Sequence, residues 1–276
     1  MSGPVIIAFL GKGGSGKSIL SSLTGKLVIN DKKNLLLIDA DPAMGLATAL
    51  GVQGYKTIGE ARENIIQKAK NASGKVEKET LGNEIDVLLM ECLFETPDYS
   101  LLVMGRTNSI GCYCPVNTLL KRTIKTIASR YDVVIIDAEA GMEQVSRQVT
   151  ESVHYPVLLT DNSLRGVRTG ILINETITSS NQHDVKKTGI IFNRVDRADT
   201  ELVEKAVEAG IQYYGSIPAD ENITLWDRKG LPALEMPDET VSLTALKTIM
   251  KKINFKPLSS AFSAGEGLNL RGGNFR

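Results

Sequence analysis

The 276 residues are enough to bury a substantial core. The 32 lysines and arginines balance 32 aspartates and glutamates, so the chain lacks the basic bias of a dedicated nucleic-acid binder. Three cysteines without a secretory leader point to a reducing, cytoplasmic setting, and no apolar run is long enough for a membrane span.

In chain order, Val5–Leu10 reads as a buried strand, Lys17–Val28 as a helix and Leu35–Ile38 as a strand. Ile58–Lys70 then reads as a helix, Ile85–Met90 as a strand, Pro115–Ser129 as a helix and Val133–Ile136 as a strand. Pro156–Leu159 and Thr188–Phe192 complete the strands, and Arg165–Thr178 and Glu201–Glu208 the helices. Such alternation, with continuously apolar strands, predicts an α/β fold: one doubly wound, mostly parallel sheet with helices on both faces. Asn71–Gly82 is polar and reads as a surface excursion. Val241–Phe255, with Lys247, Lys251 and Lys252, reads either as a helix packed on the sheet or as an amphipathic surface helix. Residues 1–256 form one predicted domain, and 257–276 a glycine-containing mobile tail.

Between the first strand and first helix stands Gly11-Lys12-Gly13-Gly14-Ser15-Gly16-Lys17-Ser18, which satisfies G-x-x-x-x-G-K-[ST] in the context that gives it meaning. The glycines let successive N–H groups face a phosphate, and the helix N-terminus adds its positive end. Lys17 is placed to reach the β- and γ-phosphates, and Ser18 to ligate Mg²⁺. The chain therefore reads as a phosphate-loop NTPase.

Lys12 sharpens the pattern. G-K-G-G-x-G-K-S resembles the deviant phosphate loop of the MinD, ParA and nitrogenase iron-protein superfamily. The resemblance implies that Lys12 crosses a dimer interface to the nucleotide of the other subunit. Asp39-Ala40-Asp41-Pro42 resembles that superfamily's first switch, which implies that Asp41 orients the attacking water and Asp39 supports it. Asp137-Ala138-Glu139-Ala140-Gly141 resembles a Walker B strand running into the second switch. Asp137 would then hold Mg²⁺ through water, and Gly141 would offer its amide to the γ-phosphate. Phe192-Asn193-Arg194-Val195-Asp196 resembles the superfamily's adenine-reading segment and Gly215-Ser216-Ile217-Pro218 the loop that packs against the base, which implies base contacts for Asn193 and Pro218. These likenesses favour ATP and ADP as the nucleotides.

Cys112-Tyr113-Cys114 precedes Pro115, a suitable first-turn residue, and thiols beside a helix N-terminus are biased toward the metal-binding thiolate. One C-x-C pair is half of a four-ligand site, and two-fold symmetry would supply the rest. With Asn117, Glu143 and Arg147, the set resembles the nickel-insertion accessory ATPases of carbon monoxide dehydrogenase and acetyl-CoA synthase, the CooC type. That resemblance implies a homodimer holding one Ni²⁺ or Zn²⁺ between Cys112 and Cys114 of two subunits. It also implies a client enzyme of that type and no nucleic-acid or membrane partner. Relatives often carry Glu-His where this chain has Glu143-Gln144.

Two other functions remain open at this level. One is an electron-transfer ATPase with a bridging iron–sulfur cluster, although Ala138–Arg147 lacks the cysteine such relatives place there. The other is a positioning switch that acts on membrane or DNA. Cys92 reads as a buried, inert thiol.

Overall fold

The computed structural model describes residues 3–71, 86–106, 122–138, 153–179, 185 and 188–253. Cys112, Cys114, Gly141, Glu143 and the tail lie outside the described residues, as do residues 72–82 of the polar excursion.

Eight strands form one sheet: β1 (Val5–Gly11), β2 (Leu35–Asp39), β3 (Phe94–Glu95), β4 (Ser100–Val103), β5 (Val133–Asp137), β6 (Tyr155–Thr160), β7 (Gly189–Asn193) and β8 (Gln212–Ile217). Their spatial order is β3-β4-β2-β5-β1-β6-β7-β8. All pairings are parallel except that of the two-residue β3 with β4.

Alternation along the strands sends side chains to opposite faces. Ile6, Ala8 and Leu10 of β1 join one core with the helices Ile58–Asn71 and Leu164–Ser179. Ile7 and Phe9 join the other core with the helices Lys17–Asn30 and Val241–Lys252. Strands covered on both faces need apolar side chains throughout, which is why β2 and β5 are buried at every position.

Within the expected strand Ile85–Met90, the described residues 86–90 instead belong to a helix that runs on to residue 92. Leu89 and Cys92 are buried while Val87 and Met90 are exposed, a helical rather than an alternating pattern. The sheet position beside β2 goes to the four-residue β4. Val241–Lys252 packs on the sheet through Leu243, Leu246, Ile249 and Met250. Burying each of these side chains contributes about 1.5–3 kcal/mol, which ties the helix to β8.

Candidate nucleotide site

The C-terminal ends of the parallel strands converge on one edge, where open α/β sheets bind their ligands. β1 runs into the phosphate loop. β2 and β5 end side by side, with Asp39 paired in register with Asp137, and Asp137 with Phe9 of β1. β6, β7 and β8 bring Thr160, Asn193 and Ile217 to the same edge.

The loop conformation depends on its glycines. Gly14 and Gly16 have φ of 76° and 97°, in the left-handed region that favours glycine. Gly16 caps the helix Lys17–Asn30 without a side chain, and its carbonyl accepts the Leu20 N–H at 3.0 Å. Lys17 is almost fully buried, and its ammonium donates to the Lys12 carbonyl at 3.2 Å. This bond folds the lysine back along its own loop, as a phosphate-directed side chain requires.

Asp137 is fully buried, and neither of its carboxylate oxygens has a hydrogen-bond partner among the described residues. Burial pushes its carboxyl up to about 6, while a Ser18 hydroxyl close enough to interact with it, though outside good hydrogen-bond geometry, and the Lys17 charge pull the other way. A buried carboxylate without partners is costly unless something completes it. A hydroxyl and a carboxylate at a phosphate loop form an oxygen donor set suited to a hard divalent cation. The residues present therefore fit Mg²⁺.

Asp39 is equally buried but differently employed. Its oxygens accept the Asp41 N–H at 3.2 Å and the Ala47 N–H at 3.0 Å. Desolvation raises its carboxyl to about 7, aided by the Asp137 charge and opposed mainly by the Ala47 hydrogen bond. Asp39 thus holds both ends of the loop that carries Asp41. Asp41 accepts the Ala43 N–H at 2.8 Å and is half-buried beside the loop's tip. Met44 occupies the left-handed region at φ 55°, a strained conformation for a residue with a side chain. It turns the chain so that Gly45 lies close against Ser18, where an added Cβ would come within 2.6 Å of the Ser18 Oγ.

Lys12 is half-exposed at the mouth, with its ammonium 3.8 Å from the Asp161 carboxylate. A cavity of about 140 Å³ opens there between Lys12–Ser15, Thr160, Asp161 and Asn193–Val195. Asn193 is turned toward the phosphate loop and donates to the Ser15 carbonyl at 2.8 Å. Pro218 follows β8, whose Ile217 carbonyl accepts the Val195 N–H at 2.9 Å and so joins the two loops at this end.

The structure therefore gathers Gly11–Ser18, Asp39, Asp41, Asp137, Asn193 and Pro218 on one edge. Two contributors were missed in the sequence. Asp161 directly follows the buried strand β6, one residue beyond the strand end that Asp39 and Asp137 occupy in β2 and β5, and a carboxylate at that edge was a usable signal. Gly45 had no signal beyond its proximity in sequence to Asp41. Among the described residues no cluster of three metal-ligating side chains occurs, and no helix is long and apolar enough to cross a membrane.

Residues 6–233 match the family model described as the CobQ/CobB/MinD/ParA nucleotide binding domain. An uncharacterised ATP-binding protein of Methanocaldococcus jannaschii is 35% identical over 255 residues, covering 90% of this chain and 98% of that protein. The carbon monoxide dehydrogenase accessory protein CooC of Rhodospirillum rubrum is 27% identical over 252 residues, covering 83% and 89%. The septum site-determining protein MinD of Pyrococcus horikoshii, solved with Mg-ADP, shares the fold with a TM-score of 0.63 at 18% identity. That match covers 91% of this chain and 96% of the other. With its phosphate loop and strand-end carboxylates in place, the chain belongs to the CobQ/CobB/MinD/ParA nucleotide-binding family.

Proposed function

We propose that the protein is an ATP-hydrolysing homodimer that carries a nickel or zinc ion to a client enzyme of the carbon monoxide dehydrogenase/acetyl-CoA synthase type. The ATPase half of this reading is carried by the buried Asp137 carboxylate, which has no well-formed hydrogen bond among the described residues and stands beside Ser18 and Lys17. The metal half is supported by Cys112-Tyr113-Cys114 and by the similarity to CooC over most of both chains.

In this mechanism the N–H groups of Gly13–Ser18 and the Lys17 ammonium bind the triphosphate of ATP. Ser18 and Asp137 would hold Mg²⁺, which when bound neutralises charge on the β- and γ-phosphates. Asp41 orients a water for attack on the γ-phosphorus, and the bond to the β–γ bridging oxygen breaks to give ADP and phosphate. Asp39 keeps Asp41 in place through the two backbone N–H groups it accepts. Lys12, released from Asp161, reaches the phosphates of the partner's nucleotide and so links hydrolysis to dimer contact. The cargo ion is the transported substrate, held by thiolates of Cys112 and Cys114 from both subunits. Coupling is reciprocal: if nucleotide tightens metal binding, metal tightens nucleotide binding by the same factor.

A membrane-positioning role is disfavoured, because the lysine-bearing helix Val241–Lys252 already spends its apolar face on the sheet. The reading is tested by measuring phosphate release and Ni²⁺ uptake together. Asp41→Ala should abolish release and leave Ni²⁺ bound, whereas Cys112→Ala/Cys114→Ala should lose Ni²⁺ and retain nucleotide binding. Unchanged phosphate release in Asp41→Ala, or unchanged Ni²⁺ uptake in the cysteine variant, would count against it.

A further inference from the structure

The exit of β4 is built into two neighbours at once. Met104 donates its N–H to the Asp39 carbonyl at 2.8 Å, and its own carbonyl accepts the Gly59 N–H at 2.8 Å. Thr57 pairs in parallel with Val103 just before the helix Ile58–Asn71. Reciprocal bonds between Thr57 and Glu60, at 3.0 and 3.2 Å, close the start of that helix. Gly105 turns at φ 67° where a Cβ would lie 2.6 Å from that of Thr57, and a Cβ on Gly59 would overlap the Arg106 carbonyl. The backbone from Val103 to Arg106 is therefore packed too closely to shift without its neighbours.

From this fixed backbone the Arg106 side chain reaches 64 residues back in sequence, where its Nε donates to the Pro42 carbonyl at 3.2 Å. Pro42 follows Asp41, the carboxylate assigned to the attacking water, and precedes the left-handed Met44 at φ 55°. A loop in such a conformation depends on ties from its surroundings, and a charged donor makes a stronger tie than a neutral one. The same loop meets the phosphate side of the site at Gly45, which lies against Ser18. In the other direction, Cys112 follows Arg106 by six residues, so their Cα atoms are no more than about 22 Å apart. Arg106 thus stands between the loop that acts on nucleotide and the chain segment that carries both thiols.

We infer that Arg106 couples metal to nucleotide: its bond to Pro42 passes the constraint that a thiolate-bound ion places on residues 106–114 to the Asp41 loop. This rests on the nucleotide and cargo-ion readings above. The loop has two arrangements, tied to Arg106 and released from it, and ion binding shifts the balance between them. The signature is a lost coupling, with each separate binding event retained.

The test measures a thermodynamic cycle on the full chain in excess Mg²⁺. Titration calorimetry gives the ADP affinity with and without stoichiometric Ni²⁺, and the Ni²⁺ affinity of each nucleotide-free protein, with thermal melting alongside. Wild type should show a coupling factor of about fivefold or more, and Cys112→Ala/Cys114→Ala a factor of about one. Arg106→Ala should bring the factor to about one while each separate affinity stays within about twofold of wild type. Arg106→Lys should recover part of the coupling, since an ammonium can serve a single bond to a carbonyl. Coupling in Arg106→Ala equal to that of wild type would overturn the inference. So would ADP binding weakened by the same factor with and without Ni²⁺, the mark of a merely structural arginine. A wild type that binds both ligands without coupling would also overturn it and leave the two binding sites standing. A wild type that takes up no Ni²⁺, or no ADP, would defeat the underlying reading and the inference with it, a separate outcome.

Discussion

Replacing Asp137 by asparagine should make the nucleotide-free protein more stable while damaging its site. Burial moves this carboxyl from the ordinary 3.8 to about 6, and both oxygens lack partners among the described residues. The shift of about two units, at about 1.4 kcal/mol each, sets an upper magnitude of about 3 kcal/mol. The sign follows from proton binding: the folded state holds this proton more tightly than the unfolded chain. Ionisation therefore costs little below about pH 4, costs progressively more between about 4 and 6, and imposes its full penalty above about 6. Asp137→Asn carries no such penalty, so its advantage should approach about 3 kcal/mol at pH 8 and shrink to about 0.5 kcal/mol at pH 4. For a chain of this size, the gain at pH 8 corresponds to a Tm rise of about 6–12 °C. Thermal unfolding followed by circular dichroism, in chelator and without nucleotide, would measure it. A variant no more stable than wild type at pH 8, or an advantage that persists unchanged at pH 4, would refute the picture of an unsatisfied buried charge.

Asp39→Asn should behave differently, because asparagine would turn an NH₂ toward a backbone N–H that Asp39 now accepts from Asp41 or Ala47. At pH 4, where ionisation of either carboxyl costs little, it should be less stable than Asp137→Asn by about 1–3 kcal/mol in the same melting experiment. Gly45→Ala would press a methyl group to 2.6 Å from the Ser18 Oγ. It should weaken ADP binding more in the presence of Mg²⁺ than in chelator, which calorimetry in the two buffers would reveal. Lys12→Ala should preserve nucleotide binding by the monomer and abolish ATP-dependent dimerisation, read by light scattering on a sizing column. Asp220 accepts from Ser242 N–H at 3.0 Å and Asn222 N–H at 2.9 Å, and so joins two helix starts. Asp220→Ala should cost about 1–3 kcal/mol of stability. These hydrogen bonds hold the Asp220 carboxyl below its ordinary value against the opposing effect of burial. That stabilisation is present above the unfolded-state value and is lost as pH falls through the lower folded one.

Sheet architecture and the phosphate loop were legible because both leave strong local signals. β1, β2, β5, β6 and β7 are continuous apolar runs, and the loop's glycines are fixed by spacing. Asp86-Val87-Leu88-Leu89-Met90 misled because a short apolar run fits a strand and a buried helix equally well. Only burial of Leu89 and Cys92 with exposure of Val87 distinguishes the two. β8 was hidden because Gln212 and Tyr213 are exposed and Gly215 interrupts the run, as befits an edge strand. The Asn193–Ser15 bond was illegible for another reason: it joins residues far apart in sequence, and only the β6–β7–β8 arrangement brings them together. Asp39 shows the same limit. Its position at a strand end was clear, but its two hydrogen bonds into the Asp41–Ala47 segment depend on how that loop folds.

The central claim is that nucleotide and a metal ion share one symmetric dimer. Native mass spectrometry of the full chain with Mg²⁺-ADP and stoichiometric Ni²⁺ or Zn²⁺ tests it most directly. The account predicts a dimer carrying one transported ion beyond its bound Mg²⁺, with that ion absent from Cys112→Ala/Cys114→Ala. A wild-type protein that binds nucleotide and takes up no Ni²⁺ or Zn²⁺, or one whose uptake is unaffected by losing both cysteines, would contradict the metal-carrier account.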